Sequence, residues 1–199
     1  MIEVCILTLQ VDAQTNSSVQ RRSAVVIGAG QAGLSAAYAL QQQGIRPLVL
    51  EKHRVAYAWD QQRWDSFCLV TPNWQCRLPD FPYSGDQPDG FMGKSSIVDY
   101  LQRFAQHVNA DLREGVAVSR LQPIVNGYRL DTSEGVIEAE HVIVATGGYH
   151  IPRRHPFAER LPASVQQLDA RSYRNPEALP DGPVPVSYTH LTLPTTVRV

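Results

Sequence analysis

The sequence predicts an α/β fold, a parallel sheet extended by a small antiparallel β-meander, and three observations predict it. Two short apolar runs, Ala24-Val25-Val26-Ile27 and Pro47-Leu48-Val49-Leu50, have the composition of strands buried on both faces of a parallel sheet. Between them, Leu34, Ala37, Tyr38 and Leu40 or Gln41 recur at helical spacing, and Gly44 stands where a helix stop is expected. Further on, "NGYRLDT" and "GVIEAE" alternate like antiparallel strands joined near Ser133-Glu134-Gly135, and a buried strand, His141–Val144, follows them.

The first apolar run breaks at Gly28-Ala29-Gly30-Gln31-Ala32-Gly33, a G-x-G-x-x-G pattern set between a strand and a helix. In that context each glycine has a task. Gly28 permits the tight turn, Gly30 lets a diphosphate approach the backbone, and Gly33 lets the helix pack close to the sheet. The diphosphate would lie at the helix N-terminus, where free N–H groups and the positive end of the helix dipole favour an anion. Glu51 ends the second strand, 18 residues past Gly33, where a carboxylate is expected to bind ribose hydroxyls. Because a carboxylate repels a 2′-phosphate, the expected ligand is NAD or FAD rather than NADP, and the motif does not separate the first two. The architecture is therefore Rossmann-like.

Composition narrows the class. The chain has 199 residues, 43% of them hydrophobic and 19% charged, with a net charge of −1. That balance gives no electrostatic case for nucleic acid or an anionic membrane. Arg153, Arg154 and His155 read as a small solvated cluster. Cys5, Cys68 and Cys76 show no C-x-x-C spacing, so neither a disulfide framework nor a dithiol redox centre is expected. The six histidines show no metal-ligand spacing, and no metal is expected. The run "MIEVCILTLQ" is too short to span a bilayer and lacks a basic leader, so a cytoplasmic location is expected. Residues 1–22 read as an N-terminal extension.

After Glu51 comes a long aperiodic segment rich in proline and holding Trp59, Trp64 and Trp74. It is too aromatic for disorder and reads as a loop packed over a ligand or, alternatively, as a covering layer over the sheet. Ser96-Ile97-Val98-Asp99 reads as a capping box opening a helix whose buried face is Ile97, Leu101, Phe104 and Val108. A strand is expected around Val116 to Leu121.

The order of these parts, with the buried strand running into Ala145-Thr146-Gly147, resembles the two-dinucleotide-binding flavoprotein superfamily. The resemblance covers roughly residues 23 to 185. It implies FAD on the first glycine motif, with Ala145-Thr146-Gly147 returning beside the same cofactor. "AYAWDQQRWDSFCLVTP" is similar to a tryptophan-containing stretch of flavin-containing monooxygenases, with Trp59, Arg63, Trp64 and Asp65 in the corresponding places. Tyr57-Ala58 stands where those proteins carry a glycine pair. Tyr173-Arg174-Asn175-Pro176 matches a second segment of that family, whose histidine is replaced here by Asp169. The resemblance implies cofactor contacts from Gly28, Gly30, Gln31, Ala32, Gly33, Glu51, Lys52, Trp59, Arg63, Trp64, Val118, Ala145, Thr146 and Gly147. It points to Asn73 as a catalytic amide and to Trp59, Trp64 and Trp74 as groups excluding water. It further implies that NADPH reduces the flavin, which then activates O₂ toward a small organic substrate. An oxidase or dehydrogenase without oxygenation, or an inactive nucleotide-binding fragment, is the alternative.

In that family a second glycine motif, the NADPH site, would follow "PDGPV". The chain instead continues "PVSYTHLTLPTTVRV", and Val186 to Thr196 resembles a translated sequencing adapter. The expected organisation is an extension over 1–22, an FAD-binding domain over 23–184 and a foreign tail over 185–199. The fragment is expected to expose apolar surface and to be poorly soluble.

Overall fold

In the computed structural model, residues 19–148, 151–152, 156–188 and 191–197 are described. The N-terminal apolar run, Cys5, His150, the Arg153-Arg154-His155 cluster and His190 lie outside them. The chain runs β1 (Gln20–Ile27), α1 (Gln31–Gln42), β2 (Leu48–Glu51), α2 (Tyr57–Gln61), a small ribbon of β3 (Arg77–Leu78) and β4 (Phe81–Pro82), then α3 (Lys94–Val108). It continues through β5 (Asp111–Glu114), β6 (Val118–Ile124), β7 (Gly127–Thr132), β8 (Gly135–Val144), and a terminal pair, β9 (Val184–Tyr188) and β10 (Leu191–Val197). The main sheet has six strands in the order β5-β2-β1-β8-β7-β6. Its first four are mutually parallel, and β7 and β6 complete it antiparallel.

Successive side chains of a strand point to opposite faces of its sheet. Val26 and Val49 accordingly join Leu34 and Ala37 of α1 and Ile97, Tyr100, Leu101, Phe104 and Val108 of α3 in one core. Val25, Leu48 and Leu50 join Val116, Leu130, Ile137 and Ala139 on the other side. The continuous apolar runs of β1 and β2 are thus explained: both of their faces are covered. The end of α1 is closed by bonds from Gly44 N–H to the Gln41 carbonyl (2.9 Å) and from Ile45 N–H to that of Leu40 (3.0 Å), a Schellman arrangement.

Five elements differ from the sequence expectation. β1 begins at Gln20 because Gln20, Arg21 and Arg22 pair with Ile137, Glu138 and Ala139, so residues assigned to the extension lie in the sheet. "GVIEAE" and "HVIV" form one strand, β8, whose first half pairs with β7 while most of its length pairs with β1. β5 is an additional strand; Asp-Leu-Arg-Glu carries no apolar pattern and is held by its parallel register with β2. The strand expected at Val116–Leu121 is displaced to Val118–Ile124, with Val116 buried just before it. The capping box does not form. α3 opens earlier, at Lys94, with Gly93 as its cap, and Asp99 pairs along the helix with Arg103 at 2.9 Å instead of turning back to Ser96.

The long segment after β2 is a packed layer. Val55, Leu78 and Met92 are buried in the α1–α3 core, with Trp59, Phe67, Leu69, Cys76, Phe81 and Tyr83 packed against it. Tyr100 pins the layer, donating to the Phe81 carbonyl at 2.5 Å and accepting from Leu78 N–H at 3.3 Å. Burial pushes its phenol pKa up, keeping it the neutral donor that this bond needs.

The junction of β1 and α1 leaves no room for side chains. A Cβ on Gly33 would lie 1.9 Å from the Gly28 carbonyl oxygen and 3.3 Å from a Val26 methyl. Gly33→Ala must therefore push α1 off the sheet. Overpacking against backbone costs about 1–3 kcal/mol, and the expected result is a fall in Tm of roughly 3–10 °C, read by thermal unfolding of the cofactor-free chain.

Candidate functional site

The site lies at the carboxyl ends of the parallel strands, where open α/β sheets place their ligands. Gly28 N–H donates to the Leu50 carbonyl at 2.7 Å, tying the turn after β1 to the end of β2. Ala145 N–H donates to the Ile27 carbonyl at 2.8 Å, bringing the end of β8 against the same turn. Gly28 has φ +107°, a conformation that side chains rarely adopt, and a Cβ there would meet the Ala145 carbonyl oxygen at 2.5 Å. Three strand ends thus converge on one side-chain-free turn.

Gly30 caps α1 in extended conformation, with no side-chain cap and no acidic residue in the first helical turn. The space in front of it is open: nothing lies within 4 Å of a hypothetical Cβ. The first N–H groups of α1, those of Gln31, Ala32 and Gly33, precede the first intrahelical bond, from Leu34 N–H to the Gly30 carbonyl at 3.0 Å. This is the cradle an anionic diphosphate requires. Glu51 flanks it. One carboxylate oxygen accepts Ala29 N–H at 2.8 Å and the other accepts His53 N–H at 2.9 Å. The carboxylate is held in one orientation by two backbone donors, and each oxygen keeps a lone pair for a ligand hydroxyl. Lys52 follows it at the surface.

The aromatic loop comes next. Trp59 and Ala145 both pack against the core cluster that contains Ala29. Trp59 and Trp64 flank Phe67 at ring separations of 5.7 and 4.8 Å. The Arg63 guanidinium lies 5.1 Å from the Trp59 ring and 5.6 Å from that of Phe67, a cation–π arrangement. Where the monooxygenase-like glycine pair was aligned with Tyr57-Ala58, the left-handed residue is Ala56, at φ +61° and buried.

The structure gathers Gly28, Gly30, Gln31, Ala32, Gly33, Glu51, Ala145 and Thr146 into one junction, with Trp59, Arg63 and Trp64 on the adjoining loop. Gly147 continues the β8 end in left-handed conformation, at φ +77°. Val118 belongs elsewhere, opening β6 and packing on the opposite core cluster. Asn73 is also separate. It is 4% exposed at the start of a 3-10 turn, where its side chain donates to the Gln87 carbonyl at 2.8 Å and its N–H to that of Gly90 at 2.9 Å. That is the role of a turn residue after proline. Trp74 is 48% exposed on the same turn and is no part of the Trp59–Phe67–Trp64 group.

Sequence reading missed Glu114, and it named Asp65 only as part of the family-like stretch, without its partners. Glu114 ends β5 in register with Glu51 and accepts Val55 N–H at 2.7 Å, so the two acids hold the chain leaving β2 from both sides. Its signal was an acid closing a short polar strand just before a glycine. Asp65 accepts from the Asn175 amide at 2.7 Å and from Lys94 Nζ at 3.1 Å. Asp169, which replaces the family histidine, organises the turn leading to Arg174 by accepting the N–H groups of Arg171 (2.8 Å) and Ser172 (3.2 Å).

The chain belongs to the pyridine nucleotide-disulphide oxidoreductase family, whose sequence pattern matches residues 25–178. It is 38% identical over 161 residues to a CzcO-like oxidoreductase of Geobacillus kaustophilus (strain HTA426), covering 80% of this chain and 46% of that protein. It is 34% identical over 130 residues to the indole-3-pyruvate monooxygenase YUCCA6 of Arabidopsis thaliana, covering 62% of this chain and 31% of that one. Among solved structures, a double mutant of the flavin monooxygenase from Stenotrophomonas maltophilia superposes with TM-score 0.70 at 26% identity, over 83% of this chain and 50% of that one. The chain spans about half the length of the relatives it matches most fully. Cys68 and Cys76 are free thiols, and burial pushes the Cys76 thiol up, away from the reactive thiolate. Among the described residues no cluster of candidate metal ligands occurs, and no helix is long and apolar enough to cross a membrane.

The Asn175 amide, and then Lys94, hold the Asp65 carboxyl below the usual carboxylate range. A carboxyl depressed on folding contributes stability above its unfolded pKa and loses it as pH falls through its folded pKa. The expected outcome is that tryptic cleavage of the 61–67 loop is slow and constant at neutral pH. Loop amide protection, corrected for the intrinsic exchange rate at each pH, falls below roughly pH 4; in Asp65→Asn that fall is absent.

Proposed function

We propose that the chain is the FAD-binding portion of an NAD(P)H-using oxidoreductase, of the kind that oxygenates a small organic substrate. The observation that carries this reading is the junction of Gly28, Gly30 and Gly33 with Glu51 and Ala145: an open, uncapped helix N-terminus beside a doubly anchored carboxylate. FAD supplies electron transfer and O₂ chemistry when bound. The chain's own contribution is binding and shielding. The first N–H groups of α1 receive the diphosphate, Glu51 accepts ribose hydroxyls, and Ala145-Thr146-Gly147 lines the neighbouring strand end. Trp59, Trp64 and Arg63 cover the approach and limit water.

The likeness to indole-3-pyruvate and Stenotrophomonas flavin monooxygenases at 34% and 26% identity favours oxygenation over simple oxidase chemistry. NADPH would be served by the part of those proteins that lies beyond this match. Ile151, Phe157, Leu161, Val165 and Leu168 are apolar side chains at 75%, 45%, 38%, 40% and 43% exposure. We read them as the face that this part covers in a full-length enzyme acting in the cytoplasm. Residues 185–199 are read as foreign to this fold. β9 and β10 form a two-stranded sheet of their own, and the family match ends at residue 178.

Mixing the purified chain with FAD and recording its visible spectrum tests the reading. A bound flavin band with quenched flavin fluorescence is expected, and a chain that takes up NAD but no FAD would refute it. Glu51→Gln places an amide NH₂ against the Ala29 or His53 N–H. Each lost charge-assisted bond is worth about 1.5–3 kcal/mol, so FAD affinity is expected to fall roughly tenfold to a hundredfold by titration.

A further inference from the structure

The two stretches that sequence analysis singled out beyond the glycine turn, Trp59–Asp65 and Tyr173–Pro176, are more than a hundred residues apart and meet in one polar clasp. Arg174 is its centre. Its guanidinium donates to the Arg63 carbonyl at 3.2 Å, to that of Gln61 at 2.5 Å and to that of its own neighbour Arg171 at 3.1 Å. Asp65 N–H returns a bond to the Arg174 carbonyl at 2.9 Å. The Asp65 carboxylate is then shared between the Asn175 amide at 2.7 Å and Lys94 Nζ at 3.1 Å, which joins the clasp to the start of α3. Asn175 is itself fixed, its amide oxygen accepting Ala178 N–H at 3.1 Å.

The partners of Arg174 are informative. Arginine's rigid fork commonly serves a carboxylate or phosphate, yet here it spans backbone carbonyls immediately before Trp64. Those carbonyls belong to a five-residue helix and its exit, with no long ladder of their own. Arg63 carries one of these carbonyls and Trp64 follows it, and both side chains pack on Phe67, Arg63 over its ring and Trp64 edge-on. We propose that Arg174, with Asp65 and Asn175, is a positioning clasp that fixes Arg63 and Trp64 at the cofactor site. Through it the 169–178 segment sets how tightly the aromatic loop closes over bound FAD. This rests on the FAD reading above.

The test uses the 199-residue chain with and without FAD. Arg174→Lys keeps the charge but loses the fork, Asn175→Ala removes the Asp65 link together with the Ala178 N–H cap, and Ser172→Ala disturbs the same turn without touching the loop. Three quantities are read: FAD affinity, Tm, and the rate of tryptic cleavage after Arg63 in the cofactor-free chain. One or two lost hydrogen bonds correspond to about a threefold to tenfold change. Arg174→Lys and Asn175→Ala are expected to weaken FAD by that factor and speed cleavage at Arg63 by at least as much, while Ser172→Ala leaves both unchanged. Unchanged cleavage and affinity in Arg174→Lys, or equal effects in Ser172→Ala, would overturn the clasp. Should Arg174→Lys fail to fold, Asn175→Ala decides alone. A wild-type chain that binds no FAD refutes the cofactor reading instead, and cleavage at Arg63 in the cofactor-free variants still decides whether the clasp holds the loop.

Discussion

Everything at this site depends on backbone meeting backbone without a side chain between. The turn after β1 must bond to the end of β2, accept the end of β8 beside it and let α1 start within contact of the strand it has just left. The carbonyl oxygens of Gly28 and Ala145 occupy the space where Cβ atoms of Gly33 and Gly28 would stand. Dense packing of protein interiors makes such contact unforgiving. The same closeness points the free N–H groups of α1 outward at a common point, so the packing constraint and the anion site have one origin.

Around that junction, polar side chains are used mainly to hold backbone. Glu51 spans Ala29 and His53, Glu114 holds Val55, Tyr100 fixes the β3–β4 ribbon, and Arg174 holds the aromatic loop. Chain leaving the sheet edge has few ladder partners, and its buried N–H and C=O groups must be satisfied by something. Side chains from distant segments supply the missing partners. A loop that looks irregular is thereby given one conformation.

Ile151, Phe157, Leu161, Val165 and Leu168 leave large apolar side chains exposed, and the chain spans about half the length of the relatives it matches most fully. Asp169, as an acceptor for two successive N–H groups, builds the turn on which Arg174 is presented.

The sequence by itself determined the core α/β unit and the junction. Apolar runs at Ala24–Ile27 and Pro47–Leu50, the glycine spacing and the acid at Glu51 are local signals, readable because each is dictated by neighbours within one βαβ unit. The helical face of Ile97, Leu101, Phe104 and Val108 was legible for the same reason. Tertiary structure alone decided the rest. β5 is a strand only because β2 offers it a parallel edge, and β8 is continuous because β7 pairs with its first half and β1 with the rest, the two overlapping at residues 137–139. Ser96 and Asp99 had the spacing of a cap, but the loop that closes on Gly93 starts the helix three residues earlier and leaves Asp99 to Arg103. Asn73 follows a proline in a stretch that resembles a catalytic one, and its burial under the 87–90 loop is a contact no local pattern encodes. The meeting of Asp65 with Asn175 and of Arg174 with the aromatic loop joins residues 110 or so apart, and only the folded sheet brings them together.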